Sequence, residues 1–107
     1  MEEKQTVIID LTCVTSRDEI YNEIYMKLGG GEYGKNLDAL WDVLTGFEVE
    51  LETVYILRKN EYDDPAVADY VGGICHVFTL AEQEYGDFEV FVFRPEEKIM
   101  LERDTGW

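Results

Sequence analysis

The sequence predicts an α/β fold, a small three-stranded parallel sheet with helices packed on it. Three short runs rich in β-branched and aromatic residues read as strands. They are "TVIIDL" at residues 6–11, "LETVYIL" at about 51–57 and "FEVFVF" at 88–93. Segments with apolar residues at helical spacing separate them, and strands alternating with helices imply βαβ units. Right-handed crossovers then lay the helices over the sheet. The 107 residues suit a single domain, 1–107, with one core.

After the first strand, Ser16 and Glu19 have the spacing of a capping box, in which Glu19 reaches back to the cap. Ile20, Ile24 and Leu28 recur four apart and give one apolar stripe, which the glycines at 29–31 end. "EYGK" connects to a second helix, from Leu37 to about Leu44. Asn36 suits its N-cap, because the side-chain oxygen accepts from an early backbone N–H. Gly46 suits its end, because glycine tolerates a left-handed conformation. The "FEVELETVYIL" strand is partly exposed at its start, where apolar residues alternate with Glu, and buried at its end.

"KNEYDDPA" turns into a third helical stretch, with Asp64 as cap and Pro65 at the first helical position. Val67, Val71, Ile74, Phe78 and Ala81 mark its stripe. Gly72-Gly73 falls inside, so the pattern reads as one helix or as two with a bend. The segment after Phe93 reads equally as a short helix, an edge strand or a frayed end. No repeats or low-complexity segments occur.

The chain carries 24 acidic and 9 basic residues, a net charge of -15. Such a field repels nucleic acid and anionic membranes and attracts basic proteins or cations. It also serves plain solubility. The start, "MEEKQTVIIDL", lacks the basic flank and apolar run of a signal peptide. No apolar run has the length of a membrane span. A cytoplasmic, soluble protein is expected. Cys13 and Cys75 have no metal-like spacing and sit in apolar surroundings, so both are expected to be buried thiols.

Catalysis is not expected. Ser16 is the only serine, and capping explains it. His76 is the only histidine; it follows Cys75, and neighbours on a helix point about 100° apart. "GGGEYG" follows a helix rather than a strand, which is wrong for a phosphate-binding loop. Glu61, Asp63 and Asp64 lack the spacing of a calcium loop and read as a solvated helix start. Glu50 and Glu52 read as a strand's outer face rather than a carboxylate pair. No cofactor and no metal are expected.

The second helix is different. Leu37, Leu40, Trp41 and Leu44 form its apolar stripe, and Asp38, Asp42 and Thr45 form a second row beside it. Carboxylates at i and i+4 repel by a few tenths of a kcal/mol, roughly. The helix dipole favours Asp38 in the first turn but not Asp42 beyond it. An ordinary solvated face accommodates such a row. So does a surface for a cationic partner.

The run "YGKNLDALWDVLTG", residues 33–46, resembles the signature segment of the barstar family, intracellular inhibitors of barnase-type extracellular ribonucleases. The resemblance covers roughly residues 6–93 and leaves residues 94–107 as a tail outside it. It implies a barstar-like sheet with helices and an inhibitor that plugs a cationic active site. Asp42 would be the phosphate mimic and Asp38 a second interface acid. Tyr33, Gly34, Asn36, Leu37, Trp41, Thr45 and Gly46 would lie on or beside the nuclease-binding surface. Departures fall on the rim. Glu32 stands for an interface tyrosine, Phe47 for a tryptophan, and Leu80 for a glutamate that Glu82 or Glu84 could replace. The implied partner is a basic ribonuclease, barnase-like or a toxin, met by a chain that is monomeric when free. The alternative is a non-inhibitory module of the same fold that meets another basic protein.

Overall fold

Runs of β-branched and aromatic residues make the three strands, burial alternates along much of them, and their register aligns the buried residues. The computed structural model describes residues 4–29, 33–46, 50–85 and 88–97. In chain order these form β1 (Gln5–Asp10), α1 (Arg17–Lys27), α2 (Leu37–Thr45), β2 (Leu51–Leu57), α3 (Pro65–Tyr85), β3 (Glu89–Phe93) and a 3-10 turn at Pro95–Glu97. The sheet order is β1-β2-β3, and both pairings are parallel. Val7 lies opposite Val54 and Ile9 opposite Ile56, so one face is a continuous apolar surface. Leu11 and Phe88, at the ends of the predicted strands, lie just outside β1 and β3 and are still buried.

α1 and α3 pack on the sheet, α2 packs chiefly on α3, and all three helices contribute to one core. Ile20, Tyr21 and Ile24 of α1, Leu40 and Leu44 of α2, and Val71, Ile74 and Phe78 of α3 share one core with Val7, Ile9, Val54 and Ile56. A smaller cluster of Leu57, Phe93, Ile8 and Tyr55 belongs to the opposite face. Helix side chains also occupy the outer edges of the sheet. Lys27 Nζ donates to the Ile8 carbonyl at 2.9 Å, and Glu23 accepts from the Asp10 N–H at 2.9 Å. On β3, Glu82 accepts from the Val90 N–H at 2.6 Å. These contacts satisfy edge groups that would otherwise invite strand pairing.

One reading left open is decided and others need correction. α3 is one continuous helix of 21 residues, with no break at Gly72-Gly73. Each glycine costs about 1 kcal/mol relative to alanine, yet the buried stripe Val71, Ile74, Cys75 and Phe78 spans the pair and outweighs that cost. A Cβ built at Gly72 meets nothing within 4 Å. Gly72→Ala is therefore expected to stabilise the fold by about 0.5–1 kcal/mol, read as a higher urea midpoint.

Cys13 is exposed, and only Cys75 is buried. The physical reason is a side-chain turn: Asp10 Oδ1 accepts from the Thr12 N–H at 2.9 Å and from its hydroxyl at 2.5 Å. The turned chain puts Leu11 and Val14 inward and leaves Cys13 outside. Ser16 caps α1 through the Glu19 N–H at 3.2 Å, but Glu19 reaches back one residue further, accepting from the Thr15 N–H and hydroxyl, both at 2.8 Å. Those bonds hold the Glu19 carboxyl below its usual range. Asp64 caps α3 as expected, accepting from the Ala66 N–H at 2.9 Å.

Candidate acidic interface helix

Asn36 starts α2 as predicted: its backbone is extended and its Oδ1 accepts from the Ala39 N–H at 2.7 Å. Gly46 ends the helix for a different reason from the one expected. Its φ is -88°, not left-handed. A Cβ there would lie 2.5 Å from the Asp42 carbonyl oxygen, so glycine is needed for close backbone approach.

Between those ends the helix has two surfaces. Leu40, Val43 and Leu44 are buried, while Leu37 and Trp41 are half-buried against the core. Asp38 and Asp42 are exposed. Among the described residues neither carboxylate has a hydrogen-bond or ion-pair partner. Thr45 is half-buried, and its hydroxyl donates to the Trp41 carbonyl at 2.8 Å within the helix. The surface therefore presents two bare carboxylates beside an indole edge.

The segment leading into α2 is fastened to α1. Tyr25 Oη donates to the Gly34 carbonyl at 2.6 Å, and Arg17 donates to the Lys35 carbonyl at 2.9 Å. Tyr33 packs edge-on against Tyr25 at 5.1 Å between centroids. Gly34 is exposed, but a Cβ on it would press on Ala39 Cβ at 3.2 Å and Asn36 Nδ2 at 3.3 Å. Tyr25 stacks on Tyr21 at 5.6 Å, and Tyr21 meets Tyr70 of α3 edge-on at 5.8 Å. The Tyr21 and Tyr70 hydroxyls hydrogen-bond to each other. Arg17 lies over the Tyr70 ring at 5.3 Å. This chain of contacts joins the start of α2 to both other helices. A site held in this way loses little freedom when a partner binds.

Sequence reasoning missed this cluster. The signal was Tyr21 and Tyr25 at i and i+4, one helical face beside the Ile20–Ile24 stripe. It has a pH signature. Burial pushes the Tyr21 hydroxyl well above the ordinary value of 10.0, with the Tyr70 hydroxyl adding to the rise, and burial raises Tyr25 too. An unfolded chain releases these protons near pH 10, roughly, while the folded chain keeps them, so the fold binds more protons than the unfolded state above that pH. Stability contributed by the cluster is present below about pH 10 and falls as pH rises beyond it. The urea midpoint should decline there in wild type, and less steeply in Tyr21→Phe.

The residues set aside as catalytic candidates are not arranged for chemistry. Cys75 is buried, with its thiol pushed up by desolvation, and His76 is exposed on the next position of α3. A raised, buried thiol is a poor nucleophile.

Residues 4–94 match the Barstar (barnase inhibitor) family. The chain belongs to the barstar family. It is also similar to a Bacillus subtilis (strain 168) protein named "Putative ribonuclease inhibitor YrdF". The two are 31% identical over 88 residues, which is 80% of this chain and 96% of that protein. The three parallel strands and three helices are the α/β arrangement expected of a barstar-like chain.

Membership gives the departures a structural setting. Glu32 and Phe47 lie outside the described residues. Leu80, expected from the resemblance to stand for a glutamate, is half-buried on α3. Of the two nearby acids, Glu82 is committed to the Val90 N–H at 2.6 Å. Glu84 is exposed at the end of α3 and has no partner among the described residues.

Proposed function

We propose that this barstar-family chain inhibits a basic ribonuclease by placing α2 in the enzyme's active-site cleft. Asp42 stands in for the substrate phosphate and accepts charge-assisted hydrogen bonds from the Arg and Lys donors of the cleft. Asp38 pairs with a second cation beside it. Trp41 and Leu37 supply apolar contact, and Tyr33, Gly34, Asn36, Thr45 and Gly46 form the backbone-rich surround. Glu84 extends the acidic rim along α3, and Glu32 and Phe47 belong to the same rim by their place in the family pattern. The protein turns over nothing and needs no cofactor, and it is a monomer when free. In this reading it stays in the cytoplasm and shields cellular RNA from the enzyme.

One observation carries the reading. Asp38 and Asp42 are exposed, without a partner among the described residues, on a helix whose entry is tied to α1 and capped by Asn36. Carboxylates on a rigid helix can occupy a phosphate site without being cleavable.

The reading predicts competition and salt dependence. A mononucleotide that fills the phosphate site of a barnase-type ribonuclease should slow association of the inhibitor in proportion to its occupancy. Added salt should lower the on-rate more than it raises the off-rate, because screening acts on the long-range attraction between a chain of net charge -15 and a basic partner. Binding indifferent to the nucleotide would show that the helix docks elsewhere on the enzyme.

A further inference from the structure

Three large apolar side chains are notably exposed among the described residues: Met26, Tyr85 and Phe91. Tyr85 touches the acidic helix. It is the last residue of α3, is 47% exposed, and sets its ring edge-on against Trp41 with centroids 6.0 Å apart. Trp41 in turn shares its side of α2 with Asp38, three residues before it, and Thr45, four after. Glu84, exposed, precedes Tyr85 directly. The surface of α2 therefore continues through the indole onto α3, where nearly half of an aromatic residue stays in solvent.

We infer that Tyr85 is a specificity-determining contact of the inhibitor and that its ring receives a cationic side chain, Arg or Lys, from the rim of the bound ribonuclease. The inference rests on the proposed function above. Core packing does not account for the residue, because nearly half of the side chain faces solvent. The negative face of an aromatic ring attracts a cation, and partial desolvation at an interface strengthens that attraction. The chain's net charge of -15 favours positive charge on the partner. Tyrosine also places a large contact area at small entropic cost, with its hydroxyl still able to reach water at the rim. The half-buried Leu80 offers no charge at the position of the family glutamate, so a contact through Tyr85 is a different way for α3 to hold a basic partner.

The test compares wild type, Tyr85→Phe, Tyr85→Leu and Asp42→Ala as inhibitors of a barnase-type ribonuclease, with the melting temperature of each measured beside its inhibition constant. Phe keeps the ring face. Leu keeps apolar packing on Trp41 but removes the ring. Tyr85→Phe should stay within about 3-fold of wild type, whereas Tyr85→Leu should weaken inhibition by about 5- to 30-fold through faster dissociation, at an unchanged melting temperature. Wild-type inhibition by Tyr85→Leu, with Asp42→Ala still defective, would overturn the role of Tyr85 and leave the inhibitor reading in place. Equal losses in the Phe and Leu variants would overturn the cation contact in favour of a hydroxyl contact. Absence of inhibition by wild type would overturn the ribonuclease reading and this inference together.

Discussion

Asp42→Ala should weaken binding to the ribonuclease by at least about 100-fold while leaving the fold intact. Removing one partner of a buried ion pair costs about 3–5 kcal/mol, because the other charge stays desolvated and unpaired. In the complex that stranded charge would be the phosphate-binding cation of the enzyme. The free inhibitor has nothing comparable to lose. Asp42 is exposed, its carboxylate has no hydrogen-bond or ion-pair partner among the described residues, and it lies one helical turn from Asp38. Removing it relieves a small repulsion. Inhibition constant and urea midpoint measured on the same preparation check both halves. A destabilised variant would show that Asp42 has a structural duty, and an unimpaired inhibitor would refute the phosphate mimic.

Leu40→Ala should do the reverse. Leu40 is fully buried where α2 meets the common core. Truncating a buried leucine removes its transfer free energy and leaves a cavity, together about 2–5 kcal/mol. For a domain of this size the melting temperature should fall by roughly 10 °C or more. The buried side chain does not reach the surface proposed to meet the enzyme, so the folded fraction should still inhibit with nearly wild-type affinity. A near-neutral melting shift would mean that the apolar face of α2 is assigned wrongly. The two variants thus separate the faces of one helix, Asp42 acting on affinity and Leu40 on stability.

Much of this helix was legible in the sequence because short-range rules govern it. Asn36 caps, Leu40 and Leu44 go inward, and Asp38 and Asp42 go outward, all within the nine-residue helix Leu37–Thr45 and its N-cap. The strands were legible for the same reason, since β-branched runs and period-two alternation are local properties. What escaped the sequence depends on three-dimensional geometry that residue spacing does not give, some of it local and some between distant segments. Cys13 looked apolar by its neighbours, but the turn made by Asp10 and Thr12 rotates it outward. Gly72-Gly73 looked like a hinge, but the buried residues on both sides of it hold the helix through. Gly46 was recognised as a stop, though its true requirement is room beside the Asp42 carbonyl. The tyrosine cluster joins Tyr21 to Tyr70 across 49 positions, and no local pattern links them. Glu82 looked available as a rim acid until the fold placed the Val90 N–H against it. The acidic pair itself illustrates the limit. Residue spacing shows that Asp38 and Asp42 share a face, whereas only the packed chain shows that the structure provides neither with a partner among the described residues.

The most direct measurement is RNA cleavage by a barnase-type ribonuclease titrated with the wild-type protein. Active-site plugging predicts a linear loss of activity that reaches zero at one inhibitor per enzyme, when the enzyme concentration is well above the dissociation constant. Activity that persists at micromolar excess of the protein would contradict it.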